Sequence, residues 1–218
     1  MPRSEGHPLA TTARRTEHGS APHAASAATG HGARRSTPTP FTVGPDGAAV
    51  TGFDVGHERR MHLIVVRRDL TGYQHLHPVL DASGTWSVRL RLPEAGVYRA
   101  YADFSTGGRS LTLATDLFVA GAFDPAPLPP ARAAGAELSY RLSRDGRLLD
   151  GVEPYLGADG HLVALREGDM AFLHVHPEES DEPGVIRFGA TLPSAGRYRL
   201  FLQFKRDGRV RTVEHTLE

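Results

Sequence analysis

HLIVVRRDLTGYQHLHP, residues 62–78, decides the reading of this chain, because the sequence writes it again as HLVALREGDMAFLHVHP at 161–177. The copies agree at six of seventeen positions, and three of the six are histidines: His62, His75 and His77 against His161, His174 and His176. An apolar run, a polar turn and a short run ending in His-x-His fit a β-hairpin, in which alternate residues share a face. His75 and His77 then point the same way. A hairpin closed around Asp69 and Leu70 sets His62 opposite His77, with Cβ atoms about 5 Å apart. His75 lies about 6.5–7 Å along the strand from His77. Imidazoles reach well beyond their Cβ atoms, so three ring nitrogens can meet at one point. With metal–imidazole bonds of about 2.0–2.1 Å, one bound cation is the simplest object that uses such a tripod.

The 218 residues accommodate one large or two small domains, and the internal repeat selects two. Lys plus Arg and Asp plus Glu each number 25, so the chain lacks the charge excess that draws a protein to nucleic acid or an anionic membrane. Cysteine is absent, which removes disulfides, thiolate metal sites and a cysteine nucleophile. Histidine carries the metal argument alone. No apolar run approaches the roughly 18–20 residues needed to span a bilayer.

Residues 1–40 contain only Leu9 and Met1 as large aliphatics and read as a disordered tail. Its histidines, His7, His18, His23 and His31, are widely spaced and read as solvated. Residues 21–28 are too weakly apolar for the core of a secretory leader, so no export signal is expected in the chain as given.

Working outward from the first histidine hairpin, residues 41–43 and 48–53 flank Pro45-Asp46-Gly47 and read as a first hairpin. Residues 85–92 alternate, with Trp86, Val88, Leu90 and Leu92 on one face and Ser87, Arg89 and Arg91 on the other, as in a half-buried antiparallel strand. Two further strands follow at 98–104 and 111–119, and Gly96-x-Tyr98 resembles the tyrosine corner of Greek-key sandwiches. Residues 121–134 hold four prolines and read as a semi-rigid linker. Residues 135–218 repeat the order of 41–120 nearly turn for turn. The expected fold is therefore all-β: two tandem immunoglobulin-like (Greek-key) β-sandwich domains. A unit of about eighty residues builds only a small core, so docking of the two units or a bound metal would add stability.

The six histidines His62, His75, His77, His161, His174 and His176 are the candidate metal ligands, one three-histidine set per domain. For a fourth ligand, Asp103 is a candidate in the first unit, but its counterpart is Gln203. Glu178 and Glu179 face Val79 and Leu80. A fourth position open to water, as in catalytic zinc sites, fits this pattern. No acid recurs in both units as the general base that hydrolysis requires, so turnover is not expected. Met61 and Met170 align with Gly160 and Thr71, so thioether ligation of Cu(I) is not part of the repeat. Imidazole ligands suit zinc, copper(II) or nickel. His57 and His215 lack matching histidines and read as surface residues.

Through HLHP and HVHP, with AGVYRAYADF and AGRYRLFLQF downstream, the chain resembles two-repeat secreted proteins of high-GC actinobacteria. Those look related to the small YtkA-like, FixH-like and CopC-like β-sandwiches found with bacterial metal handling. The resemblance covers roughly residues 41–218. It implies an extracytoplasmic location, a copper or zinc ion held by the six histidines for sequestration or delivery, and a metal transporter or another extracytoplasmic protein as partner. Two other readings stand beside it. One is a cupin-type metalloenzyme, since Gly168 precedes His174-x-His176 at cupin spacing. However, Ser180 or Asp181 stands where a cupin has glutamate, and Gly72 lies too close to His75. The other is an interaction or scaffold sandwich without metal.

Overall fold

The structure, a computed structural model, describes residues 37–44, 48–132, 138–144, 146–175, 177–189 and 192–218. The tail histidines and His176 lie outside the described residues, as does the end of the linker. All regular structure within them is β, and no helix among them is long and apolar enough to cross a membrane.

In the first repeat β1 (Thr37–Thr42), β5 (Thr85–Leu90) and β4 (Val79–Leu80) make one antiparallel sheet in the order β1-β5-β4. The facing sheet contains β3 (Gln74–Leu76), β2 (His62–Arg67), β6 (Gly96–Thr106) and β7 (Arg109–Val119), in the order β3-β2-β6-β7. The second repeat has the same plan. There β13 (Pro177–Glu178), β14 (Val185–Phe188) and β8 (Leu138–Arg141) form the sheet β13-β14-β8. Opposite it, β12 (Phe172–Val175), β11 (His161–Arg166), β15 (Tyr198–Arg206) and β16 (Arg209–Leu217) form β12-β11-β15-β16. A small hairpin of β9 (Ser143–Arg144) and β10 (Arg147–Leu148) is added in this repeat. Successive strands β1 and β2 belong to opposite sheets while β1 pairs with β5, which is the Greek-key crossover of immunoglobulin-like sandwiches.

The expected tyrosine corners are present: Tyr98 donates to Glu94 O at 3.1 Å and Tyr198 to Ser194 O at 3.0 Å. The expected alternation of β5 is also present, with Trp86 and Leu90 buried and Ser87 and Arg89 exposed. The first hairpin is a correction. β1 starts at Thr37, inside the stretch read as tail, and pairs with β5 from Thr37↔Leu90 to Thr42↔Thr85. Of residues 48–53 none is in a strand, and Val50 N donates to Val43 O at 2.8 Å. The run TPTPFT misleads because prolines look like loop, yet proline is admissible on an edge strand.

β2 is buried at all six positions, and so, except for its last residue, is β11. Leu63 and Val65 face their own sandwich core with Trp86, Tyr98 and Phe104. Ile64 and Val66 face the other way and join Tyr101, Val163, Leu165, Met170 and Phe201 in a third cluster between the repeats. The contacts of this seam are reciprocal. Tyr73 stacks on Phe201 at 4.1 Å and Tyr101 on Phe172 at 5.0 Å, each ring meeting the counterpart of its partner's position in the other repeat.

The hairpin turns also correct the alignment. Arg67 N bonds Thr71 O and Arg166 N bonds Ala171 O, with Leu70 (φ 62) and Met170 (φ 58) as the buried left-handed residues of each turn. Met170 therefore corresponds to Leu70, not Thr71; Gly168 lengthens the second turn and the absence of a counterpart to Gly72 restores the spacing. Both methionines are core residues, Met61 in the first sandwich and Met170 in the seam. The described part of the linker is fastened to these turns. Ala126 N donates to Asp69 Oδ2 at 2.9 Å, the buried Arg67–Asp69 pair is 2.6 Å long, and Arg197 donates to Pro129 O at 3.0 Å.

The seam is load-carrying only if its aromatic pairs are. Phe201→Ala, which removes a fully buried ring from the Tyr73 stack, is expected to cost about 3–5 kcal/mol in urea unfolding. A loss below about 1 kcal/mol would mean that the repeats are not packed this way in solution.

Candidate metal centre

His62 opens β2 on the same face as Ile64 and Val66, the seam face. Pairs Leu63↔Leu76 and Ile64↔His75 give the register expected from the sequence, and continuing it puts His62 opposite His77. The second hairpin repeats it with Leu162↔Val175 and Val163↔His174. Because this face is the seam, the histidine sets of the two repeats are turned toward each other. His62 stacks on His161 at 5.3 Å with a 19° interplanar angle, and His75 lies 4.8 Å from His161, ring centre to ring centre. Within the first set, His62–His75 and His62–His77 are both 5.2 Å and His75–His77 is 4.8 Å. His161–His174 is 4.4 Å. The two sets thus adjoin in one histidine-lined centre.

The ligand nitrogens of His62, His75 and His77 all lie within 4.8 Å of one another. Binding one ion at about 2.0–2.1 Å from each nitrogen requires the widest pair to close by roughly 1–2 Å, within reach of side-chain rotation.

Each repeat holds a histidine of the other. His75 Nδ1 meets Gln203 Oε1 at 2.6 Å, and His174 Nδ1 donates to Asp103 Oδ2 at 2.8 Å. The threonines opposite on the edge strands complete both contacts: Thr112 donates to Asp103 Oδ1 at 2.7 Å, and Gln203 Nε2 donates to Thr212 at 3.2 Å. Asp103, expected as a fourth ligand, therefore has both oxygens engaged and orients His174 across the seam. Such carboxylate–imidazole contacts fix ring orientation and raise the basicity of the ligand. Glu178 and Glu179 line an adjacent cleft with His57 and Asp159.

With Gln203 Oε1 accepting, neutral His75 carries its hydrogen on Nδ1 and its lone pair on Nε2. His62 Nε2 lies 3.1 Å from the carbonyl of Gly56, an acceptor, so the lone pair of neutral His62 is on Nδ1. Those two lone-pair nitrogens face each other at 2.9 Å, an arrangement that a cation between them stabilises. His77 Nε2 and both nitrogens of His161 are buried without a hydrogen-bond partner among the described residues.

Sequence reasoning missed two histidines. His57 belongs to the centre, with its ring 5.8 Å from His161 and 5.4 Å from His174; it was read as surface because its counterpart is not histidine. His215 is half-buried, with Nε2 2.9 Å from the Tyr140 hydroxyl on the far side of the second sheet, away from the centre.

The family described as a domain of unknown function, DUF8832, matches residues 24–121 and 129–218. The chain belongs to this family. No curated protein matches it. The two DUF8832 regions coincide with the two sandwiches, so the centre lies between paired copies of a family domain.

Burial pushes the His75 imidazole down to about 3 and His77 to about 4, and it lowers His62 and His161 as well, with neighbouring histidines adding to the shift. In the unfolded chain these groups titrate near 6.5. On acidification the unfolded state takes up protons first, so stability is full above about pH 6.5 and declines toward the folded values. The melting temperature of metal-free protein is expected to fall between about pH 7 and about pH 5, well before carboxylates protonate. A flat profile over that range would show that the imidazoles are not buried neutral.

Proposed function

We propose that this protein binds a divalent transition-metal ion, copper or zinc, through His62, His75 and His77, with His161, His174 and His176 of the second repeat as their counterparts. The observation that carries the reading is the convergence of three imidazoles on one point, with nitrogens within 4.8 Å of one another and His77 Nε2 buried without a partner among the described residues. A buried nitrogen left unpaired costs about 1–3 kcal/mol, and a bound cation removes that cost. Imidazoles held neutral at neutral pH need no deprotonation to ligate. Nitrogen-only ligation favours copper(II) or zinc over calcium or magnesium.

The role is sequestration or delivery, outside the cytoplasm, to a transporter or another protein of that compartment. The His-x-His-Pro resemblance supports this, and so does the engagement of Asp103, the acid next to the cluster, by His174 and Thr112. A second reading has one observation in its favour. If Gln203 presented its amide nitrogen to His75, the contacts Gln203–His75–His62–Gly56 would form a closed donor-to-acceptor chain, as in a purely structural cluster.

Metal analysis of untagged protein separates the two. Stoichiometric copper or zinc, with the ion at His62 lost in His75→Ala/His77→Ala and binding reduced in His174→Ala/His176→Ala, is the expected result. Protein free of metal after micromolar supply, with melting unchanged by zinc or copper(II), would leave the structural cluster.

A further inference from the structure

Resting on the metal-binding reading, we propose that His57, His161 and His174 form a second cation site drawn from both repeats, making the seam a two-ion centre. His161 is only 3% exposed, and neither of its nitrogens has a partner among the described residues, whereas each nitrogen of its counterpart His62 has a polar atom beside it, Gly56 O at 3.1 Å and His75 Nε2 at 2.9 Å. An imidazole centre lies about 3 Å from an ion its nitrogen binds, so rings sharing an ion have centres about 4.5–6 Å apart. His161–His174, His57–His174 and His57–His161 stand at 4.4, 5.4 and 5.8 Å, so the rings are near enough to share an ion. Among the described residues only His62, His75 and His77 already have their nitrogens within 4.8 Å, and this second set must rotate further to close on one. The contact to Asp103 places the hydrogen of His174 on Nδ1, which leaves Nε2 as its ligating nitrogen.

His57 is delivered to this point by an unfavourable backbone. Gly56 and Arg59 close a tight turn through hydrogen bonds of 2.8 and 3.0 Å, with His57 at φ 48 and Glu58 at φ 62. A turn with two left-handed central residues favours Asn-Gly or Gly-Gly. The second repeat makes the same turn with Leu156 (φ 58) and Gly157 (φ 81), and so relieves one of the two positions. Such outliers gather where the strained residue has a task. His57 also walls an open cleft of about 380 Å³ with Asp159, Glu178 and Glu179, a carboxylate-lined approach for a cation.

The test titrates untagged full-length protein with Co²⁺, read by its visible absorption, and with Zn²⁺. Wild type is expected to take two ions. His57→Asn removes the imidazole but keeps a side chain that tolerates the left-handed turn; it is expected to weaken one ion at least 10-fold in protein whose folding is confirmed by metal-free melting. Asp103→Asn is expected to weaken the same ion by roughly 10–100-fold and alter its cobalt spectrum. His75→Ala/His77→Ala should abolish the other. Two ions of unchanged affinity in His57→Asn would overturn the proposal, as would a single wild-type ion lost in His75→Ala/His77→Ala, which leaves the primary reading standing. No ion in wild type would overturn both.

Discussion

Burial of two strands on both faces is the constraint on which this molecule depends. β2 and β11 each serve their own sandwich with one set of side chains and the opposite repeat with the alternate set. Each sandwich alone would expose Ile64, Val66 and Tyr101, or Val163, Leu165 and Phe201, so the repeats gain much of their apolar burial from each other. The histidines occupy the end of the same faces, because strand alternation puts His62 in line with Ile64 and Val66, and His161 in line with Val163 and Leu165. Docking and assembly of the centre are thus a single event. A histidine cluster made this way needs no flexible loop to gather its side chains, apart from the turn that carries His57.

The centre is the polar end of an apolar seam, and its energetics follow from that position. Imidazoles are tolerated there because each repeat offers the other an acceptor, Gln203 for His75 and Asp103 for His174. Where contacts are reciprocal, at Nδ1 of His75 and of His174, the nitrogen is satisfied. Where they are absent among the described residues, at His77 Nε2 and on His161, desolvation has been incurred without a hydrogen bond in return, and those are the atoms at which a cation would gain the most.

Much of this architecture was legible in the chain. The hairpin register followed from symmetry about Asp69 and Leu70, the corners from Gly96-x-Tyr98 and its repeat, and the three-stranded sheet from the alternation around Trp86. HLIVVR and HLVALR even carry the mark of double burial, an apolar run without alternation, but periodicity does not tell what covers the second face. His57 was illegible for a different reason. Its role depends on a left-handed turn that His-Glu does not advertise, and on a repeat that supplies leucine at the matching place. The correspondence of Met170 with Leu70 was hidden by compensating glycines, which leave the histidine spacing intact while shifting the turn between them. β1 was lost to composition, since threonine and proline suggest a linker until an edge strand is seen to accept them.

Tandem fusion explains why the centre need not be symmetric. Two identical subunits meeting through this face would place the same residue on either side of the axis, giving two carboxylates or two amides and two identical turns. In one chain the positions diverge: Asp103 faces His174 where Gln203 faces His75, and His57 stands where the second repeat has Leu156. A carboxylate makes its imidazole a stronger donor to metal than an amide does, so the two halves of the centre differ in basicity although their backbones nearly repeat. Paired carboxylates at this depth would also add a second buried negative charge beside Asp103, whose own oxygens are held by His174 and Thr112. One acid and one amide keep the seam closer to neutral and make the two halves of the centre inequivalent.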